Sequence, residues 1–497
     1  MVRFRDPRRR LDCYANNLSL EPLELRHLLT VGFSSVQVLS ADDGDTAAWG
    51  DFNNDGFVDL QAGGSGLWQN NGGANFTFNP NGQNTGSWGD YNNDGNLDYF
   101  LAGPKLVVRG NGNGTFVDGF GIPGVPGSPT EAATWFDLEN DGDLDLYIAN
   151  YGDTLGPRAD TIYRNEGNDT FVQHWVQPGG ATESRGATLI DYNEDNHVDI
   201  YVSHYRLQPN SLWENNGSGG FTDVAGAKNA LGANGHGLGS AVGDFDNDGH
   251  VDIFAQKFAH SFNPYSQMLR NTGPSGNYAF EVKQTFAPPN WVESASSAAI
   301  GDVDNDGDLD FFITAVYGGQ YARLYENPGV NSTGPWNFVN VTGATGLPNI
   351  QVTYQAAFAD FGNDGDLDLV TDNQIFANNT SQTTFNNWLR IKLVGDGNNV
   401  NTTAIGAVVR ADLGNGQILT RTVEGQLAGA TKTSRRCTSG WEPFLTPSPW
   451  RSLGTTARSN PRCFHPTKPW NLLMGRSVLR PTKPASWILA KSDRSPI

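Results

Sequence analysis

One acidic pattern recurs seven times and constrains the fold of this 497-residue chain more than any other feature. Residues 301–312 read GDVDNDGDLDFF, and six further stretches repeat this order of Asp, Asn and Gly before strand-forming residues. The first aspartates of the seven stretches are Asp51, Asp90, Asp137, Asp191, Asp244, Asp302 and Asp360. Their spacings of 39 to 58 residues are typical of one four-stranded propeller blade per repeat.

Each repeat also contains a second strand-turn signature, such as LWQNNGGANFTF (67–78) or TIYRNEGNDTFV (161–172). Asn and Gly in these turns supply the positive φ angles that hairpins need. Four strands in each of seven units predict an all-β, seven-bladed β-propeller over residues 31–385. The last unit has three strands of its own, so we predict that FSSVQVLS (33–40) completes it and leaves no sheet edge open.

The acidic stretches have the chemistry of calcium loops. Side chains at positions 1, 3, 5 and 9 and the carbonyl at position 7 can converge on one ion, and hard oxygen donors suit calcium. An EF-hand would need Glu at position 12, where the sixth loop has Ile313, and flanking helices. The same residues can form Asx turns without metal, but seven copies in register favour up to seven calcium ions. The predicted ligands are Asp51, Asn53, Asp55, Phe57 and Asp59; Asp90, Asn92, Asp94, Asn96 and Asp98; Asp137, Glu139, Asp141, Asp143 and Asp145; Asp191, Asn193, Asp195, His197 and Asp199; Asp244, Asp246, Asp248, His250 and Asp252; Asp302, Asp304, Asp306, Asp308 and Asp310; and Asp360, Asp364, Asp366 and Asp368.

The seven loops are not equivalent. Loops five and six each offer four carboxylates at positions 1, 3, 5 and 9, so we expect them to bind calcium best. Loops one and two have Asn53 and Asn92 at position 3, loop three has the longer Glu139, and loop four has Asn196 where glycine is expected. Loop seven has Gly362 at position 3 and is the weakest candidate. A full shell of protein ligands leaves no open position, so we expect these ions to be structural, with no catalytic residue among the ligands.

Charge is concentrated in the repeats. The chain has 33 Lys and Arg against 53 Asp and Glu; residues 1–30 hold 6 and 4 of these, and residues 431–497 hold 12 and 2. The remainder holds 15 and 47, a net charge of −32, which argues against nucleic acid as a partner. Cys13, Cys437 and Cys463 all lie outside the repeats, and no apolar run is long enough for a transmembrane helix. Calcium loops without disulfides favour the calcium-rich cell exterior.

These motifs resemble a known family. The repeated D-x-[DN]-x-D-G-x-x-D hairpin with its N-x-G turn resembles the FG-GAP/VCBS repeat of integrin α-subunit propellers and bacterial surface proteins. Residues 386–416 resemble the start of the UnbV/ASPIC domain that follows such propellers in relatives of cartilage acidic protein. The resemblance implies calcium in the loops and adhesion or recognition outside the cell. It leaves the role of the second domain, predicted over residues 386–430, unknown.

Both chain ends differ from the repeats. Residues 1–30 are basic and contain LEPLELRHLL (20–29), which resembles a sorting segment of exported bacterial proteins; the alternative is a disordered basic arm. Residues 431–497 are basic and rich in Pro and Trp. We interpret them as the disordered product of a frameshift, the alternative being a genuine disordered or membrane-surface tail.

The face opposite the calcium loops is the predicted recognition surface. Its longer loops combine aromatic side chains with Arg and His, as binding surfaces on rigid scaffolds do. The candidate ligand-binding residues are Tyr151, Arg158, His204, Tyr205, Arg206, His260, Tyr265, Trp291, Tyr317 and Tyr321. Any of them can instead merely cover a blade end.

The predicted function is adhesion to, or recognition of, an extracellular protein or carbohydrate by an exported calcium-binding propeller. The alternative is a propeller enzyme that acts on a polysaccharide, with His204, His260 and His236 meeting near the ring axis. The chain has no H-E-x-x-H and no G-x-S-x-G motif, which disfavours the enzyme.

Overall fold

The structure is a computed structural model. It describes residues 31–39, 47–62, 66–81, 86–117, 119–122, 130–152, 158–180, 182–258, 265–286, 295–331, 333–380, 389–412 and 418–423, and four short strands nearer the C-terminus. Residues 1–30, predicted as a sorting segment or basic arm, lie outside the described residues.

The described chain forms seven four-stranded antiparallel sheets, as the repeat pattern predicts. In six of them the four strands follow one another in chain order. These are β2 (Ala47–Gly50), β3 (Asp59–Ala62), β4 (Gly66–Asn70) and β5 (Phe76–Asn79); β6 (Gly86–Gly89), β7 (Asp98–Leu101), β8 (Leu106–Val108) and β9 (Phe120–Gly121); β10 (Thr130–Phe136), β11 (Asp145–Asn150), β12 (Thr161–Asn165) and β13 (Phe171–Val176); β14 (Ser184–Ile190), β15 (Asp199–His204), β16 (Ser211–Asn215) and β17 (Phe221–Asp223); β18 (Ser240–Gly243), β19 (Asp252–Ala255), β20 (Ser266–Asn271) and β21 (Phe280–Phe286); and β22 (Ala295–Gly301), β23 (Asp310–Ala315), β24 (Arg323–Glu326) and β25 (Val339–Asn340).

The seventh sheet closes the ring with strands from both ends of the propeller. It contains β1 (Phe33–Val38), β26 (Ala356–Ala359), β27 (Asp368–Thr371) and β28 (Gln374–Asn378). Strand β1 pairs with β28, with Phe33 opposite Asn378, and the Phe33 N–H donates to the Thr345 carbonyl at 2.7 Å. The predicted closure by the N-terminal strand is therefore confirmed.

At six of the seven interfaces between blades, the first strand of one blade packs against the first strand of the next. These strands are short and rich in Ala, Gly and Ser, for example AAWG in β2, and their side chains are buried. The indole N–H of Trp135 donates to the Ser87 carbonyl at 2.8 Å, and that of Trp49 donates to Ala357 at 3.3 Å. Trp49 and Ala357 belong to the first and last blades, so the same contact type continues across the closure.

Helix within the described residues is limited to 3₁₀ turns, among them Pro274–Gly276 and Thr342–Ala344. In this part of the chain no helix has the length and apolarity needed to cross a bilayer. The fold is therefore all-β, as predicted.

A small β structure follows the propeller. It comprises β29 (Leu389–Val394) and the paired strands β30 (Val408–Asp412) and β31 (Ile418–Thr422). Ile391, Val409 and Leu419 contribute to a core of its own. We call residues 389–412 and 418–423 the C-terminal segment; they fall within the second domain predicted from the sequence.

Four short strands lie in the basic tail: β32 (Phe444–Leu445), β33 (Leu473–Met474), β34 (Ser477–Val478) and β35 (Ser486–Ala490). Both β32 and β35 pair with β29. The disorder predicted for residues 431–497 remains a prediction. The frameshift stays a prediction, and the rest of the tail lies outside the described residues.

Removal of residues 1–39 should open the ring, whereas removal of residues 1–30 should not. The longer truncation exposes the edge of β28 and deletes Phe33, which is 6% exposed. Loss of one such aromatic side chain costs about 3–5 kcal/mol. We expect a clearly lower melting temperature and association through the free edge, measured by thermal unfolding and size-exclusion chromatography. Equal stability of the two truncations would contradict closure by β1.

Candidate metal loops and the opposite face

The chain itself fixes the carboxylates of each acidic loop, as loop six shows. The Asp302 carboxylate accepts the N–H groups of Asp306 and Gly307 at 3.0 and 2.9 Å. Asp310 accepts those of Val303 and Asn327 at 2.9 and 2.8 Å. Gly307 has a φ of 100°, which L side chains rarely adopt. The carboxylates are thus oriented by the backbone before any ion binds.

Two loops bring three carboxylates together. One oxygen each from Asp302, Asp304 and Asp310 lies within 4.8 Å of the others, and loop five repeats this arrangement with Asp244, Asp246 and Asp252. No other set of three acidic, His or Cys side chains comes this close in the described part of the chain. Sequence reasoning ranked these two loops first. The position 5 aspartates do not belong to either group.

Because these carboxylates are buried, their close approach is energetically unfavourable without a counter-ion. Burial raises the pKa of Asp304 to about 9, and the neighbouring Asp306 and Asp302 charges raise it further. Burial also raises the pKa of Asp98 to about 9 and that of Asp59 to about 8. Each of these carboxylates is therefore poorly solvated when ionised, and a cation beside it would favour the ionised form.

Two buried carboxylate oxygens at position 3 have no hydrogen-bond partner. They are Asp246 Oδ1 in loop five and Glu139 Oε2 in loop three. Orphaned buried acceptors are rare in folded proteins. Hard, anionic and incompletely satisfied oxygens suit calcium, so the residues present fit the ion that the sequence predicts.

The remaining loops differ from loops five and six at position 3 or at the glycine position, as their sequences suggest. In loops one and two the side-chain oxygens of Asn53 and Asn92 accept the N–H groups of Asp55 and Asp94, both at 3.0 Å. Asn196 in loop four takes the left-handed conformation, with a φ of 69°. Loop seven has no side-chain oxygen at position 3, which is glycine.

The residue at position 4 was missed by the sequence analysis. In six loops it is Asn with a positive φ, and its amide N–H donates to the following loop around the ring. For example, Asn247 Nδ2 lies 2.6 Å from Asp308 Oδ1. In loop four Glu194 replaces it and contacts His250 Nδ1 at 2.6 Å. The signal was visible in the sequence as the repeated ND pair, but its partner lies about 50 residues away. The seven position 4 residues are Asn54, Asn93, Asn140, Glu194, Asn247, Asn305 and Asn363.

An asparagine at the end of the third strand joins each loop to the preceding blade. Asn327 Nδ2 lies 2.9 Å from the Phe245 carbonyl and 3.2 Å from the Leu309 carbonyl. Its Oδ1 accepts the Gly329 N–H at 3.1 Å. Five other blades have the same residue, and blade two has Gly110 at this place. The corresponding asparagines are Asn70, Asn165, Asn215, Asn271 and Asn378.

The C-terminal segment lies against the loop face. Arg421 is buried, donates to the Gly307 carbonyl at 3.4 Å, and is attracted by the charges of Asp302 and Asp244. Arg410 contacts Glu194 at 3.4 Å, and the Thr402 hydroxyl bonds to Asp90. The segment therefore brings cationic and hydroxyl groups to the acidic face.

A cavity of about 250 Å³ remains between loops one and two and β29. Asp51, Asp90 and Lys392 line it together with Thr402 and Thr403. Contact with the C-terminal segment thus leaves space beside these two loops.

Replacement of Asn327 by Ala should lower the free energy of unfolding by about 2–3 kcal/mol. It leaves the buried carbonyls of Phe245 and Leu309 without this donor, and such loss costs about 1–3 kcal/mol for each buried group. Asn337→Ala is the control, because Asn337 is exposed and donates only to nearby Pro335. Urea unfolding of both variants measures the difference. Equal stabilities would contradict the inter-blade role.

On the opposite face, the structure brings together Tyr151, Tyr205 and Arg206 from the predicted set. The Tyr151 and Tyr205 ring centroids are 6.3 Å apart, and the Arg206 guanidinium lies 5.3 Å from the Tyr151 ring. The Arg185 guanidinium lies closer, 3.9 Å from that ring. Arg185, on the inner strand β14, was missed because nothing in its local sequence places it beside Tyr151.

The aromatic surface continues into neighbouring blades. His236 lies 4.3 Å from the Tyr205 ring, and Phe258 packs edge-on against Tyr317 at 5.0 Å. Tyr205 and Tyr354 pack on the cluster that contains Phe258. We call Tyr151, Arg185, Tyr205, Arg206, His236 and Tyr317 the aromatic face.

The other predicted ligand-binding residues have different surroundings. His204 is buried, and its two ring nitrogens contact the hydroxyls of Ser184 and Ser211 at 3.2 and 3.1 Å, so its expected exposure was wrong. Tyr321 is exposed, while Arg158 and Tyr265 are half-buried. His260 and Trp291 lie outside the described residues.

Comparison with known proteins agrees with this architecture. A model of FG-GAP-like repeats matches residues 90–148, 137–202, 191–255 and 302–371. These repeats are FG-GAP-like repeats. The resemblance noted in the sequence is therefore confirmed for the propeller.

The FG-GAP-like propeller is also similar to curated proteins over part of its length. Cartilage acidic protein 1 of Xenopus tropicalis is 31% identical over 191 residues, which cover 37% of this chain and 29% of that protein. Cartilage acidic protein 1 of Homo sapiens is 28% identical over 228 residues, 42% of this chain and 32% of that protein. The chain thus matches about a third of the length of these relatives.

Among solved structures, one similar chain is an Agrocybe aegerita lectin described as recognising non-reducing terminal N-acetylglucosamine. It has 18% sequence identity and a TM-score of 0.41, and the match covers 66% of this chain and 85% of the lectin.

Proposed function

We propose that the protein is an exported, calcium-stapled propeller that recognises an extracellular protein or carbohydrate through its aromatic face. The observation that carries the proposal is the contrast between the two faces of the ring. The C-terminal segment contacts the loops on one face, whereas the other presents Tyr317, 48% exposed, and Arg206, whose side chain is 59% exposed.

The chemistry of the aromatic face suits recognition of a ligand. Tyrosine rings supply large apolar contacts at low entropic cost. Arg206 has a salt bridge of 2.8 Å to Glu183, which is nearly buried, so its guanidinium is held in place before a ligand arrives. Preorganised groups lose less entropy on binding. The ligand we expect therefore has apolar or sugar-ring surfaces beside a hydrogen-bond acceptor.

Calcium would neutralise the loops and staple neighbouring blades. The ligands would be the carboxylates at positions 1, 3 and 9 of loops five and six, with weaker binding at the other loops. Sites of this kind fill at extracellular calcium concentrations more readily than in the cytosol, which supports export. The ion would supply charge compensation, and the protein would supply the oriented oxygens.

The enzymatic alternative has less support. It placed His204 near the ring axis together with His260 and His236, and the His204 ring is buried between two serine hydroxyls. A propeller of FG-GAP-like repeats is a general binding scaffold, and recognition without turnover is the function we favour.

Chelation of calcium should destabilise the protein. An ion that binds the folded state alone adds about 2.7 kcal/mol per site at one hundred times Kd, so we expect a lower melting temperature in EGTA than in calcium. Magnesium at the same ionic strength is the control, because it prefers a smaller octahedral shell. Unchanged melting, with no calcium found by elemental analysis, would contradict the proposed staple.

Tyr151→Ala and Arg206→Ala should each weaken ligand binding at least tenfold, as expected for central interface residues. A glycan array and a pull-down from extracellular protein first identify the ligand, and titration calorimetry then compares the variants. Phe78→Ala is the matched control, because Phe78 is also an exposed aromatic residue, 43% exposed, but lies on the outer strand β5. Wild-type affinity in both face variants would exclude the aromatic face.

A further inference from the structure

One position outside the acidic loops differs in charge from blade to blade. It is the residue immediately before the asparagine that ends the third strand, or before Gly110 in blade two, and we call it the facing position. Around the ring it is Gln69, Arg109, Arg164, Glu214, Arg270, Glu326 and Ala377. Because Asn327 and its counterparts bind the loop backbone, this position lies next to the loop of its own blade.

In blade five the facing residue is a cation within the loop. Arg270 Nε lies 2.6 Å from Asp246 Oδ2, and its Nη2 contacts Asp248. The Arg270 side chain is 12% exposed and that of Asp246 is fully buried. Asp246 Oδ1 still has no hydrogen-bond partner. Arg270 thus neutralises part of loop five and leaves one ligand oxygen available.

Blade three repeats this arrangement more weakly. Arg164 Nη1 lies 3.5 Å from Glu139 Oε1 at position 3 of loop three. Glu139 Oε2 is buried without a partner. Arginine at the facing position therefore reaches the position 3 carboxylate in both blades.

In blade six the facing residue has the opposite charge. Glu326 is 8% exposed, and the charge of Asp306 acts on it. Loop six has four carboxylates at positions 1, 3, 5 and 9, and Glu326 adds a fifth. Loop five has four carboxylates and one guanidinium. When all are ionised, positions 1, 3, 5 and 9 together with the facing residue carry −5 in loop six and −3 in loop five. The loops also differ at position 7, where loop six has Asp308 and loop five has His250.

We propose that the facing position sets the calcium affinity of loops five and six, so that Glu326 makes loop six the tightest site and Arg270 weakens loop five. The effect is electrostatic, since the ligand triads of the two loops are the same. This inference rests on the calcium binding proposed above. It separates two loops that their own sequences rank as equal.

The same charges should act in the opposite direction on the metal-free protein. Without calcium, Arg270 relieves repulsion in loop five and Glu326 increases it in loop six. Exchange of a facing residue for one of opposite charge therefore shifts metal affinity and metal-free stability in opposite senses. A substitution that merely damages the fold lowers both.

The test compares Arg270→Glu and Glu326→Arg in the full chain. The tightest class of calcium sites is followed by titration against a chromophoric chelator, and melting is measured in EGTA. For Glu326→Arg we expect loss of the tightest class, with affinity roughly tenfold to hundredfold lower at loop six, and a higher melting temperature in EGTA. For Arg270→Glu we expect an additional tight site and a lower melting temperature in EGTA.

Arg270→Gln and Glu326→Gln are the matched controls, since blade one naturally has Gln69 at this position. Each should fall between the wild type and the charge reversal. Affinities that do not follow charge, or that change in the same direction in both reversals, would overturn the proposal. A wild-type protein that binds no calcium would instead contradict the proposed staple, and the melting shifts in EGTA would still report the facing charges.

Discussion

Repulsion among buried carboxylates is the constraint on which the rest of the structure depends. Asp302, Asp304 and Asp310 converge within 4.8 Å at the tip of a hairpin whose strands form the blade core. The fold opposes that repulsion in three ways: backbone N–H groups bind the carboxylates, position 4 side chains join successive loops, and cationic side chains approach from outside. N–H donors orient the carboxylates but carry no net charge. A cation would therefore stabilise the ring further.

The ring of acidic loops and the blade cores stabilise one another. Blade packing brings each loop beside the next, which allows Asn247 to reach Asp308 and Asn327 to reach Phe245. These bonds in turn fix the angle between adjacent blades and hold their first strands together. Pairing of β1 with β28 extends this arrangement across the chain ends. A local change in one loop therefore alters contacts at two blade interfaces.

Much of this could be predicted from the sequence because the information was repetitive and local. Seven repeats indicated seven blades, and one missing strand in the last unit predicted the closure by residues 33–40. The rest depended on contacts between distant residues. Arg270 looked like an ordinary strand residue, and its contact with Asp246 exists only because the third strand ends beside the loop. His204 resembled a surface ligand, yet β15 extends to include it and buries its ring. Nothing in the local sequence of Arg421 indicated that it would be buried near loops five and six.

The two faces of the ring differ in charge, and this difference has a physical consequence. A face of uncompensated carboxylates attracts cations before it can bind much else, and the C-terminal segment supplies four of them: Arg390, Lys392, Arg410 and Arg421. The calcium ions proposed above would act on the same charges as these protein cations, and because both would lower the same repulsion, each would reduce the benefit of the other. The C-terminal segment should therefore be attracted most strongly to the loops that retain negative charge. Loop six, with Glu326 beside it, retains the most. The aromatic face has charges that are already paired, as Arg206 with Glu183, so the ligand binding proposed there would be largely independent of the calcium proposed at the loops.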